Sequence, residues 1–186
     1  MPDKTRSDAW SLLGSYTKNK NLIKHALAVE AAMKYYARKF AEDEEKWGIV
    51  GLLHDFDYEK YPSLEDHPYR GQEILTGEGY SEELKRAIMA HAPHTGTTRE
   101  SLLEKTIFAV DELTGLIVAV ALVRPSKKLA DVDVPAVVKK MKQSAFAAGV
   151  NREDIKTGAE ELELSLEEHI GNVLRAMQGI SGKLGL

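Results

Sequence analysis

Apolar residues recur along this chain three and four positions apart, and almost nowhere in sustained alternation. Leu22, Ile23, Ala26, Leu27, Val29 and Met33 make one such stripe, with Asn19 or Asn21 placed to cap it. A second helix is predicted over Glu44 to Leu53, with Trp47, Val50, Gly51 and Leu53 as its packing face. A third is predicted over Asp66 to Leu75, with Pro68 accommodated in its first turn. Ser81 opens another that runs to about His91, because Pro93 disfavours helical geometry at Ala92. Ser101-Leu102-Leu103-Glu104 has the spacing of a capping box and opens the most apolar helix of the chain. Beyond Pro125, Val134-Pro135 enters a helix expected to reach about Ala148, stopped by Gly149. Asn151 caps the next. Ser165-Leu166-Glu167-Glu168 repeats the capping-box spacing, and that helix is expected to end near Gly179.

With no convincing strand, repeat or linker, the pattern predicts one all-α domain over residues 1–186. Its core lies at about 19–123, and a C-terminal helical layer at about 134–180. At 43% hydrophobic and 29% charged residues the composition is that of a globular chain, not a disordered one. A net charge of -4 argues against a nucleic-acid-binding surface. The absence of cysteine removes both a disulfide framework and a thiolate zinc site, so any metal must be held by nitrogen and oxygen. The start, Met1-Pro2-Asp3-Lys4-Thr5-Arg6, lacks the apolar core of a signal peptide, and a cytoplasmic setting is expected. Leu113 to Val123 is nearly all apolar, yet too short for about 30 Å of hydrocarbon. Extending it backwards would bring Asp111 and Glu112 into lipid. It reads as a central buried helix, and no membrane association is expected.

The histidines change the picture. The chain has six, and five of them fall in an ordered set: His25, then His54-Asp55, then His67, His91 and His94, closed by Asp111. Imidazole and carboxylate are the ligands that borderline divalent cations prefer. Each residue has a plainer explanation when taken alone. His25, among apolar neighbours, could be satisfied by a backbone carbonyl. His54 could be a helix-terminal histidine favoured by the macrodipole, with Asp55 in a solvated turn. Asp111 is harder to explain away. Set in Ile107-Phe108-Ala109-Val110-Asp111-Glu112-Leu113, its carboxylate is expected to be buried and to need a cation, either a basic side chain or a metal.

In order and spacing, His25, His54-Asp55 and Asp111 resemble the HD superfamily of metal-dependent phosphohydrolases. His67-Pro68-Tyr69-Arg70-Gly71 matches the His-Pro-x-x-Gly form of its two-metal members, and His91 the further histidine at a helix end. Ser101 to Lys105, Asp111 to Gly115, Arg124 to Lys128 and Phe146 to Arg152 extend the resemblance to small HDIG-type hydrolases over nearly the whole chain after Asn19. One departure stands out. Where HDIG proteins carry Ile-Gly after His-Asp, this chain has Phe56-Asp57.

The resemblance implies a helical bundle with a central site for one or two divalent transition metals: iron, manganese, nickel, cobalt or zinc. One ion is expected on His25, His54, Asp55 and Asp111. A second is expected on Asp55, His67, His91 and His94. The implied reaction is metal-activated hydroxide attack on the phosphorus of a small phosphate ester, a nucleotide or related metabolite, with His54 and Asp55 central to it. Arg124 and Lys127, in a Pro-Ser turn, are the expected substrate-binding cations. Glu112 and Asp57 are candidates for a general acid or for orienting the imidazoles. A non-catalytic metal- or nucleotide-binding signalling module and a di-iron oxygenase of the same fold remain as alternatives. Oligomeric state is open.

Overall fold

The structure, a computed structural model, describes residues 4–186; Met1-Pro2-Asp3 of the polar start read above lie outside them. Among the described residues there are ten α-helices, two short 3₁₀ turns and no strand. The helices are α1 (Arg6–Tyr16), α2 (Lys20–Phe40), α3 (Glu44–Leu53), α4 (Tyr69–Gly77), α5 (Glu82–His91), α6 (Leu102–Leu122), α7 (Val134–Met141), α8 (Arg152–Glu161), α9 (Leu166–Gln178) and α10 (Ser181–Leu184). None is long and apolar enough to cross a membrane.

Side-chain caps set most of the starts. Asn19, Asp43, Ser81, Ser101, Asp133, Asn151 and Ser165 each accept a hydrogen bond from a backbone N–H one turn into their helix. Ser101 and Glu104 complete the reciprocal capping box at the head of α6. That helix is the axis of the molecule. Its buried face includes Leu103, Ile107, Val110, Leu113, Leu116, Ile117 and Val120, and α2, α5, α8 and α9 all pack on it. Helix α3 is buried on every side from Trp47 to Leu53, wedged chiefly against α2 and also against α1, α5 and α6. A continuous apolar core joins these helices. Four of them, α2, α3, α5 and α6, bring their polar residues to one point, described below.

Three boundaries differ from the sequence pattern. Helix α1 was not anticipated, because it buries only Ala9 and Leu13 and so carries a two-residue stripe. Its signal was the Thr5/Asp8 capping box. The helix expected from Asp66 begins instead at Tyr69, with Pro68 as its N-cap and residues 63–67 in a turn closed by His67 N–H on the Ser63 carbonyl at 2.8 Å. The helix expected to reach Ala148 ends at Met141. Past it the Arg152 guanidinium donates to the carbonyls of Phe146, Ala147 and Val150, and Ala147 takes a left-handed φ of 45°. Those bonds hold a turn where propensity alone would continue a helix.

Helix α8 approaches α6 closely through Gly158, where an added Cβ would lie 2.5 Å from the Ala109 Cα. Helix α9 is fastened to α6 by a buried polar chain. His169, fully buried, donates from Nε2 to the Ala109 carbonyl at 2.8 Å, so its Nδ1 is the acceptor and takes the Tyr36 hydroxyl of α2 at 2.6 Å. Burial pushes the His169 imidazole down to about 4, against the smaller opposing effect of its bond to Ala109.

This neutral histidine carries a pH signature. The unfolded chain binds a proton on it below about 6.5, while the folded chain does so only below about 4. Stability should therefore fall as pH drops from about 6.5 to about 4, by an amount on the order of 3 kcal/mol for this group. Urea titrations of wild type and His169→Gln across that range should show the wild-type curve dropping more steeply. Parallel curves would remove the assignment.

Candidate metal centre

The C-terminal end of α3 delivers His54 to the interior, and the chain then turns so that Asp55 lies beside it. Helix α2 contributes His25 from its second turn, α6 contributes Asp111 from its middle, and α5 ends on His91. His67 comes from the turn before α4. These six side chains meet. His25 Nε2 lies 3.1 Å from His54 Nε2 and 3.0 Å from Asp111 Oδ1. His54 Nε2 is 3.5 Å from Asp55 Oδ2 and 3.4 Å from Asp111 Oδ1. On the other side, Asp55 Oδ1 is 3.2 Å from His67 Nε2 and 3.4 Å from His91 Nε2, and those two nitrogens are 3.4 Å apart. Asp55 thus turns one oxygen to each of two histidine pairs.

The protons on these rings can be placed from their outer partners. His54 Nδ1 faces the Gly51 carbonyl at 2.8 Å, and His91 Nδ1 faces that of Ile88. His67 Nδ1 faces Asp57 Oδ1 at 2.8 Å. The Thr114 hydroxyl donates to the Asp111 carbonyl and so offers only a lone pair to His25 Nδ1, at 3.4 Å. In all four rings the outer partner suits Nδ1 as the N–H, which leaves Nε2 facing inward with a lone pair whenever the ring is neutral. With the rings neutral, the interior of the site is a set of acceptors alone, four imidazole nitrogens and two carboxylates.

Only cations hold such a set together, and the donor chemistry fits a divalent transition metal. Ligand atoms about 2.0–2.1 Å from an ion stand roughly 3.0–3.4 Å from one another in tetrahedral or octahedral order, and most of the contacts above fall in that range. Two groups could each hold an ion: His25, His54 and Asp55, with Asp111 alongside, and Asp55, His67 and His91. The carboxylates of the site favour positive charge on its imidazoles. Burial opposes charge on His54, but Asp55 and Asp111 outweigh it and raise its pKa well above the usual value. For His67, burial again opposes and the carboxylates of Asp55 and Asp57 prevail, lifting it to about 9. Burial likewise works against Asp55 and Asp111, and the surrounding imidazoles hold both carboxyls below the ordinary range.

Beside the cluster opens a cavity of about 200 Å³. Its walls are Asp55, His67, His91 and Asp111, then Tyr58, Ala92, Pro93, His94, Phe108, Glu112 and Asp154. Asp111, expected to be buried outright, keeps 21% of its side chain exposed because it faces this space. Burial first, then the charge of Asp111, pushes the Glu112 carboxyl up to about 7.

The sequence did not point to Tyr58, Phe108 or Asp154. Phe108 could have been found as the residue one helical turn before Asp111. Asp154 had no local signal, since only the packing of α8 on α6 brings it there.

Three of the expected site residues stand apart from the two ligand groups. His94 belongs to neither histidine group: it is exposed, and its Nε2 is directed at the His67 carbonyl, 2.9 Å away. It lines the cavity beside the cluster. Arg124 and Lys127, expected to bind substrate, are absent from the cavity wall. From Asp111 to the end of α6 at Leu122 the helix rises roughly 17 Å, which carries that turn away from the site.

Residues 22–116, just over half of the chain, match the family model described as HD domain. The chain belongs to the HD domain family. Comparison with curated proteins and with solved structures gave no match. An all-α HD domain with a His/Asp cluster of this kind fits divalent-metal binding and a metal-dependent hydrolase-type function.

If these side chains ligate, Asp55→Ala and Asp111→Ala should lose bound metal while the protein stays helical, whereas His94→Ala should keep wild-type metal content. Elemental analysis beside circular dichroism reads both. Full occupancy in the two aspartate variants would sink the ligand set.

Proposed function

We propose that this HD domain is a metal-dependent phosphohydrolase acting on a small phosphate monoester, a nucleotide or related metabolite. The observation that carries the reading is Asp55, with one carboxylate oxygen toward His25 and His54 and the other toward His67 and His91. That arrangement suits two ions sharing one carboxylate, with His25, His54, Asp55 and Asp111 on one side and Asp55, His67 and His91 on the other. A divalent pair held by these residues would supply water activated at neutral pH and charge neutralisation for a phosphoryl group.

The cavity wall supports a monoester over a polyphosphate. It contains no lysine or arginine, and beyond the ligands it adds the carboxyl groups of Glu112 and Asp154. Charge on a single phosphoryl group would be met by ions held on these residues. A second or third phosphate would face carboxylates with no lysine or arginine to receive it. The remainder of the substrate lies toward Tyr58 and His94 at the open side, both exposed. Phe108 closes the inner wall; its ring is covered from behind by the Arg99 guanidinium, 3.7 Å from the centroid. Arg99 is in turn paired with Glu161, so its charge is already matched.

A screen of nucleoside monophosphates, sugar phosphates and matching di- and triphosphates, with manganese, iron, cobalt and nickel supplied in turn, tests the reading. Phosphate release should be confined to monoesters and abolished by chelator. Asp55→Ala should lower kcat/KM by at least about a hundredfold, the upper end of what even the outer partners of a ligand cost. Lys127→Ala should leave KM unchanged. Tight binding of a phosphate ester without release would favour the signalling module. Oxygen consumption by the iron-loaded protein would favour the oxygenase.

A further inference from the structure

The four inward-facing imidazoles do not have equal support. Behind His54 and His91 stand neutral main-chain carbonyls, and behind His25 a hydroxyl. Behind His67 stands a carboxylate, that of Asp57, and Asp57 is itself fully buried. Its second oxygen, Oδ2, accepts the Gly71 N–H at 2.8 Å. Gly71 lies in the first turn of α4, whose N-cap residue Pro68 offers no side-chain cap. Asp57 therefore closes the head of α4 from outside the helix and orients a ring of the site with the same carboxyl group. The fit is tight. A Cβ on Gly71 would come within 2.9 Å of the Asp57 Cγ and Oδ2. The Asp57 main-chain carbonyl accepts from the N–H groups of Lys60 and Tyr61, each at 3.0 Å, which fixes the turn that carries it.

We propose that Asp57 is a positioning residue for one half of the site: it holds His67 as the Nδ1–H tautomer, Nε2 inward, and thereby sets the affinity of the ion on Asp55, His67 and His91 alone. This rests on the two-ion reading above. An anion behind a ligating imidazole fixes its orientation and raises its basicity, and outer partners of this kind are worth about 10–100-fold in metal affinity. Since only one of the two groups has such a backing, the effect is local. Gly71 belongs to the same device, because only a residue without a Cβ lets the carboxylate sit between the ring and the head of α4.

The test is zinc titration of the full chain, with both dissociation constants resolved by a competing chelator, on wild type, Asp57→Asn and Gly71→Ala. Asparagine keeps the shape and can still accept from Gly71 through its oxygen. Its NH₂ then faces His67 Nδ1, which drives the ring to the Nε2–H tautomer and removes its inward lone pair. Alanine at position 71 displaces the carboxylate without removing it. Both variants are expected to weaken the second ion about 10–100-fold and to leave the first within about twofold, with helicity by circular dichroism unchanged. Two ions held with wild-type constants in both variants would overturn the role of Asp57 and leave the two-ion site standing. Equal weakening of both ions would mark Asp57 as a structural residue only and overturn it as well. Fewer than two ions in wild type would fail the two-ion reading itself, and this proposal with it.

Discussion

Four imidazoles whose outer partners suit Nδ1–H, gathered around two carboxylates, form an interior with no donor of its own when the rings are neutral. Lone pairs packed about 3 Å apart repel unless a positive charge sits among them, so the heart of the bundle is stable only with protons or metal ions inside. Much of the local architecture serves to keep those rings turned. Gly51 and Ile88 give up carbonyls three residues before the histidines that use them. Thr114 donates to the Asp111 carbonyl and so leaves His25 a lone pair. Each ring's inward face is thus decided by a bond made on its far side.

The second helical layer bears on the same point from behind. Helices α8 and α9 both reach α6 at Ala109, two residues before Asp111: Gly158 by close packing, His169 by a hydrogen bond to the carbonyl. The position of Asp111 along the site is therefore fixed by contacts with residues more than forty positions later in the chain. His169, the histidine that the metal pattern left over, works in this clamp, and its low pKa follows from being held neutral there.

How much of this could be read from the sequence follows from what each feature depends on. Helix starts were legible because caps are local chemistry: Asn19, Ser81, Ser101, Asn151 and Ser165 announce themselves within a few residues. The convergence of His25, His54, Asp55, His67, His91 and Asp111 came from residue type and order, and the all-α class from periodicity. Helix α1 escaped because so little of it is buried, and the end of α7 because Arg152 stabilises a turn across a stretch of good helix formers. The cavity wall was the least legible part. Asp154 and Tyr58 reach it through packing between helices and through a turn, which no spacing in the sequence encodes. Arg124 and Lys127 were singled out for their Pro-Ser turn, which says nothing of distance from the site; that turn follows the far end of α6 and is not on the cavity wall.

The segment matched by the family model ends at residue 116, and α8, with Asp154, lies beyond it. All six clustered histidines and aspartates fall inside that segment, while Asp154 on the cavity wall comes from outside it. The close approach at Gly158 is one of the contacts that seat α8 on α6. A contact that involves none of the clustered residues, Gly158 on Ala109, therefore sets where the Asp154 carboxyl stands on the cavity wall.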